Sequence, residues 1–115
     1  MVNGMESYPG KGDSMLFYEK KRDALIVRLT GELDHSCAAK LRDQLDALIR
    51  ETGTRRLVFD LSGLEFMDSS GVGLIIGRYK LMHRRGGSVA VYGYDARMDK
   101  VFRMSGLYRI VERLA

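Results

Sequence analysis

Three sets of side chains in this sequence have types and spacings that could do chemistry. They are the hydroxyls and glycines of Asp68-Ser69-Ser70-Gly71-Val72-Gly73, the soft ligands His35, Cys37 and His83, and the carboxylates Asp34, Asp60, Glu65 and Asp68. A nucleophilic serine needs a base beside it. The G-x-S-x-G elbow that would present one is absent, since Asp68 and Ser69 precede Ser70. Gly71, Gly73 and Gly77 spell G-x-G-x-x-x-G, one residue off the dinucleotide fingerprint, and no G-K-[ST] follows. That loop is kept as the alternative reading, a small-molecule or nucleotide-binding regulatory module using Gly71 and Gly73. His35 and Cys37 lie two apart at a helix start and point to different sides, so with His83 they make a poor metal set. The carboxylates are dispersed and have cap or loop explanations. No metal, no cofactor, no catalytic residue and no enzyme activity are expected.

What fits better is a hydroxyl offered as a substrate. Asp68 and Ser69 stand immediately before an apolar-periodic run, a helix-start signal, so Ser70 falls in the first turn. The helix dipole and the free N–H groups there favour a negative charge, so a phosphate on Ser70 need not unfold the helix. Phosphate adds about −1.5 to −2 charge. If the surface around Ser70 docks a partner, burying that uncompensated charge beside Asp68 would cost several kcal/mol of binding. Such a loss changes affinity by orders of magnitude with little change in shape.

The helix that positions Ser70 has two unequal faces. Val72, Ile75, Ile76, Tyr79 and Met82 follow the i, i+3, i+4, i+7 spacing of a buried stripe. The opposite face carries Ser70, Gly73, Leu74, Gly77 and Leu81 in place of the charged residues expected of a solvated back. Glycine inside a helix costs about 1 kcal/mol relative to alanine. Either these glycines let a neighbouring element pack closely, or the face is a flat docking surface headed by a hydroxyl. The pattern alone leaves both open.

Around this helix the chain reads as alternating strands and helices. Residues 1–14 lack apolar periodicity and are expected to be a disordered tail, with Met1, Met5 and Met15 all possible starts and the folded domain over 15–115. Met15–Glu19 and Ala24–Thr30 read as strands around a charged turn, with Leu25, Val27 and Leu29 on one side and Gly31 ending the second. Asp34 or Ser36 caps a helix whose buried stripe is Leu41, Leu45, Leu48 and Ile49, with Lys40, Arg42, Asp43 and Asp46 in water. Thr52-Gly53 closes it. Arg56–Leu61 reads as a strand covered on both faces. Loop and helix span 62–84, and Ser88–Tyr92 is a further strand. Asp95 caps a third helix with Met98, Val101 and Phe102 inward, Gly106 takes the C-cap position, and Leu107–Leu114 is a last short strand or helix. The pattern predicts one α/β domain with a mixed sheet.

With 115 residues, 45% of them apolar and 30% charged, the chain has the composition of an ordinary globular domain. No apolar run approaches the ~20 residues of a membrane span. A single cysteine excludes an intrachain disulfide and fits a reducing cytoplasm. The net charge of +4 comes from short basic runs at turns, such as Lys20-Lys21-Arg22, with acids between them, so nucleic acid is not an expected partner.

Three blocks, Leu29-Thr30-Gly31-Glu32-Leu33-Asp34-His35, Phe66–Lys80 and Met104-Ser105-Gly106-Leu107, occur in the order found in the anti-sigma factor antagonists of the STAS domain family. Over roughly residues 15–112 the chain resembles that family, and its sporulation members most. The resemblance implies a mixed sheet of four or five strands with helices mainly on one side. It implies that Ser70, the second serine of D-S-[ST]-G, is phosphorylated by an anti-sigma factor that is itself an ATP-dependent serine kinase. The unphosphorylated form would bind that factor and release the sigma factor for transcription, and a PP2C-type phosphatase would restore it. Asp68 and Ser69 match the loop flanking the phosphosite, and Asp34 and His35 match a second loop at the same end. The expected partner surface is therefore Asp34, His35, Asp68, Ser69, Ser70, Gly71, Gly73, Leu74, Gly77 and Leu81. The first fourteen residues have no counterpart in the family pattern.

Overall fold

The computed structural model describes residues 5–8 and 15–114. Six strands form one sheet in sequential order, β1 (Glu6–Ser7), β2 (Leu16–Lys21), β3 (Ala24–Leu33), β4 (Arg56–Met67), β5 (Ser88–Tyr92) and β6 (Glu112–Arg113). The first three are antiparallel to their neighbours and β3 through β6 run parallel, so the expected mixed sheet is observed with two very short edge strands added. Parallel neighbours need crossovers. These are α1 (His35–Thr52), α2 (Ser69–Arg84), and α3 (Ala96–Ser105) with a 3-10 turn at Leu107–Arg109.

Residues in register share a sheet face, and alternation separates the two faces. Leu25, Val27, Leu57, Phe59, Val89 and Val91 line up across β3, β4 and β5 and are essentially inaccessible. They form one core with Leu41, Leu45, Leu48 and Ile49 of α1, Val72, Leu74, Ile75 and Met82 of α2, and Met98 and Phe102 of α3. All three helices therefore cover the same face. A fully buried Phe or Leu contributes about 1.5–3 kcal/mol, so this shared layer is the main source of stability.

The structure corrects several sequence expectations. Met5–Tyr8 belongs to the expected tail, yet Glu6–Ser7 pairs with β2 and the Tyr8 N–H donates to the Leu16 carbonyl; residues 1–4 and 9–14 lie outside the described residues. Gly31 does not end β3. It takes φ +84° within the strand, and pairing resumes through Leu33. Strand β4 likewise runs on to Met67, so 62–67 is strand and not loop. An irregularity in register makes this possible, because Arg28 pairs with Asp60 but Thr30 pairs with Gly63. Gly63 is required there, since a Cβ would lie 2.9 Å from the Leu29 carbonyl oxygen. Asp60 is a buried strand residue accepting hydrogen bonds from the Ser62 N–H and hydroxyl, not a loop carboxylate. The two strand extensions carry β3 and β4 to the same end of the sheet, where α1 and α2 begin.

Candidate functional site

Both helices at this end are started by an aspartate. Asp34 has extended backbone, and its Oδ1 accepts from the Ser36 N–H at 2.9 Å and the Ser36 hydroxyl at 2.6 Å. Those hydrogen bonds, the hydroxyl one first, hold the Asp34 carboxyl below the usual carboxylate range. Asp68 does the same for α2, accepting from the Ser70 N–H at 2.8 Å. The Asp68 N–H in turn donates to the Leu33 carbonyl, tying the two helix starts together. Each cap is local, set by residues two apart, and each satisfies one of the orphan donors of a helix end.

Ser70 is half-buried at the lip of a groove of about 300 Å³ between α1 and α2. His35, Ala38, Ala39 and Arg42 form one wall, and Ser70, Gly73, Leu74, Gly77 and Arg78 form the other. Among the described residues the Ser70 hydroxyl makes no hydrogen bond. The glycines divide into two kinds. A Cβ on Gly71 would overlap the Met67 side chain and meet Leu33, so Gly71 serves close packing of α2 on the strand before it. A Cβ on Gly73 or Gly77 would meet nothing within 4 Å. The helix bears the propensity cost of both, about 1 kcal/mol each, without any packing gain inside the domain.

Of the ten expected surface residues, His35, Ser70, Gly73, Leu74 and Gly77 come together in the groove. Leu74 is corrected in one respect. At 6% exposure it is a core residue forming the groove floor, because α1 lies over that side of α2. Gly71 is buried, Leu81 is half-buried against the core, and Ser69 is exposed beside the groove. Asp34 and Asp68 stand behind the groove as caps.

Two arginines of the groove were not anticipated. Arg78, 9% exposed, pairs with Asp46 of α1 at 2.8 Å, which also corrects the expectation that Asp46 faces water. Burial pushes the Arg78 guanidinium down from its ordinary value, opposed by the attraction of Asp46. A buried charge paired across two helices fixes their separation more than it adds stability. Arg42, more exposed, reaches Asp43 at 3.4 Å. The available signal was Arg78 interrupting an otherwise small and apolar stripe, but its partner lies 32 residues away.

Other chemistry finds little support in this geometry. With Gly71 packed under Met67, the Gly71/Gly73 segment is helix with one exposed glycine and not an open loop that could wrap a phosphate. Among the described residues no three His, Cys, Asp or Glu side chains converge as a metal site. Among them, too, no helix is long and apolar enough to cross a membrane.

A sheet with three helices on one face and a groove headed by Ser70 at one end defines a small α/β domain. Residues 17–115 match the model of the STAS domain. The chain is 44% identical over 93 residues to the anti-sigma F factor antagonist of Paenibacillus polymyxa, covering 81% of this chain and 80% of the relative. It is 38% identical over 86 residues to the anti-sigma F factor antagonist of Lysinibacillus sphaericus, covering 75% and 74%. Among solved structures it superimposes on the Bacillus cell fate determinant SpoIIAA in the phosphorylated form with TM-score 0.69, 31% identity and coverage of 87% and 91%. The anti-sigma factor antagonist SpoIIAA in its unphosphorylated form gives TM-score 0.71 at 28% identity, covering 87% of each chain. The chain belongs to the STAS domain family.

Proposed function

We propose that this protein is an anti-sigma factor antagonist acting as a phosphorylation-controlled partner switch. Unphosphorylated, it binds an anti-sigma factor through the α1/α2 groove and the Asp34 and Asp68 helix starts, releasing a sigma factor for transcription. The anti-sigma factor, acting as an ATP-dependent serine kinase, phosphorylates Ser70, and a PP2C-type phosphatase removes the phosphate. The protein is a substrate of these enzymes and has no turnover of its own. It works in the cytoplasm, and its likeness to anti-sigma F factor antagonists supports a role in sporulation.

The observation that carries this reading is the bare helix face beside Ser70. A Cβ at Gly73 or Gly77 would meet nothing, so neither glycine makes room for a neighbour inside the domain, and their selection makes sense when something outside the domain lies against them. Phosphate on the half-buried lip of that groove adds bulk and about −1.5 to −2 charge where the partner must seat. The switch acts by charge and bulk without refolding the helix, because the dipole and free N–H groups of the first turn accommodate a phosphate on Ser70.

The test is calorimetric titration of the purified anti-sigma factor, with ADP, into wild type, Ser70→Ala and Ser70→Glu. Ser70→Ala keeps near wild-type affinity, and Ser70→Glu loses about a hundredfold or more, on the order of 3 kcal/mol. Equal affinity for the three proteins would sink the switch.

A further inference from the structure

We infer that the partner seated on Ser70 also covers a second surface on the far side of the α2 start, an apolar seam made by Phe66, Val101 and Met104. The inference rests on the docking reading above and extends it to residues outside the groove. Among the described residues the exposed large hydrophobics are these three, at 42%, 42% and 78% accessibility. Phe66 and Val101 line one hollow of about 190 Å³ with Met67, Met98, Asp95 and Arg97, and Met104 follows Val101 by three residues on α3, where side chains share a face. Sequence periodicity puts Val101 inward. The helix is instead rotated so that Met98 and Phe102 fill the core and Val101 is left outside.

Two arguments identify what covers the seam. The first is continuity, because Phe66 and Met67 are the residues directly before the Asp68 cap and Ser70. The second is area. A specific interface takes about 800 Å² and some 20–30 residues from each partner, whereas nine residues line the groove. A protein resting on the groove must extend beyond it, and the seam is the apolar surface adjoining the start of α2. Removing such apolar surface from water is favourable in proportion to the area covered. The seam is flanked by the exposed Arg97 and Lys100. Of the nearby carboxylates, Asp99 is paired with Arg103 and hydrogen-bonded by Tyr108, while Asp95 accepts from the Met98 N–H and keeps its charge, so the cations Arg97 and Lys100 are in excess by one. The partner surface that fits is apolar with an acidic rim, and the occupant is the anti-sigma factor itself.

The experiment titrates the purified anti-sigma factor, with ADP, into Val101→Asp and Arg97→Glu beside wild type and Ser70→Glu. Circular dichroism melting confirms that each variant folds. Val101→Asp weakens binding tenfold or more, and Arg97→Glu weakens it severalfold with the loss shrinking at high salt. If Ser70→Glu abolishes binding while both seam variants bind within twofold of wild type, the seam is not in the interface and the inference fails while the switch stands. If the seam variants lose affinity and Ser70→Glu does not, the seam stands and the Ser70 reading fails. Sedimentation equilibrium of the chain alone supplies the other arm. A wild-type dimer that Val101→Asp dissociates, with unchanged affinity for the anti-sigma factor, would make the occupant a second copy and overturn the inference.

Discussion

The α1/α2 groove and the junction of α3 with the C-terminal strand are built on opposite plans. At the junction nearly every polar group is spent internally. The Tyr108 hydroxyl donates to Asp99 at 2.7 Å, Arg103 donates to Asp99 at 2.8 Å, and Arg113 donates to the Tyr94 hydroxyl at 3.0 Å while lying 4.9 Å from the Tyr108 ring centre. Tyr94, Phe102 and Tyr108 pack mutually with ring centres about 6 Å apart, in edge-on or tilted geometry that suits aromatic quadrupoles. Among the described residues the groove keeps a serine hydroxyl without a partner, two glycines at which an added Cβ would meet nothing, and an exposed histidine. One region locks the end of the chain onto the domain. The other leaves an open groove between two helices, whose starts are fixed by the caps and whose spacing is fixed by the Arg78–Asp46 pair.

On that contrast, substitutions at the junction act on stability and those in the groove act on binding. The largest effect is expected for Phe102→Ala, which empties a wholly buried site and costs about 3–5 kcal/mol of unfolding free energy by urea titration. A loss under 1 kcal/mol would mean that the junction is not a second anchor of the core. Asp68→Ala removes the cap of α2 and costs about 1 kcal/mol. Because the cap also orients Ser70, it should slow phosphorylation by the kinase as well, and a variant losing stability alone would separate the cap from the switch.

Gly73→Ala and Gly77→Ala sharpen the comparison most, since they move its two sides in opposite directions. Each should raise stability, by up to about 1 kcal/mol, because helix propensity improves and the added methyl meets nothing. Each should also weaken binding of the anti-sigma factor. Greater stability with unimpaired binding would show that the bare face is not the docking face.

The smallest effect concerns acid. Hydrogen bonds from Arg103 and Tyr108 hold the Asp99 carboxyl below its ordinary value. The folded state therefore favours the carboxylate, and this contribution to stability is present above the unfolded value near pH 3.9 and is lost as pH falls through the lower folded value. Urea midpoints of wild type and Asp99→Asn should differ at pH 7 and converge below about pH 4. A gap that persists unchanged in acid would assign the effect to packing and not to charge.

Much of the site was legible in the sequence because its determinants are local. The caps at Asp34, Asp68 and Asp95 bond to residues two or three positions on. Gly53 and Gly106 close their helices in the left-handed conformation that the pattern anticipates. The stripe of α1 was read without error, since all four predicted residues are buried. Strand ends were less legible. Nothing local tells β4 to continue past Leu61 or β3 past Gly31, because those segments are held by each other across more than thirty residues.

By itself, then, the sequence determined the α/β alternation, the helix starts, the position of Ser70 in the first turn of α2, and the family. These follow from short-range hydrogen bonding, hydrophobic periodicity and a nearly unbroken motif. Only the tertiary structure decided which parts of α2 and α3 are covered. Because β3 and β4 are parallel neighbours, α1 and α2 start side by side, which buries Leu74, pairs Arg78 with Asp46 and leaves open space above the Cα of Gly73 and Gly77. Because α3 seats on the core through Met98 and Phe102, Val101 is turned outward beside Phe66. A helical pattern says which residues share a face, and the face that meets solvent is set by the neighbours the fold supplies.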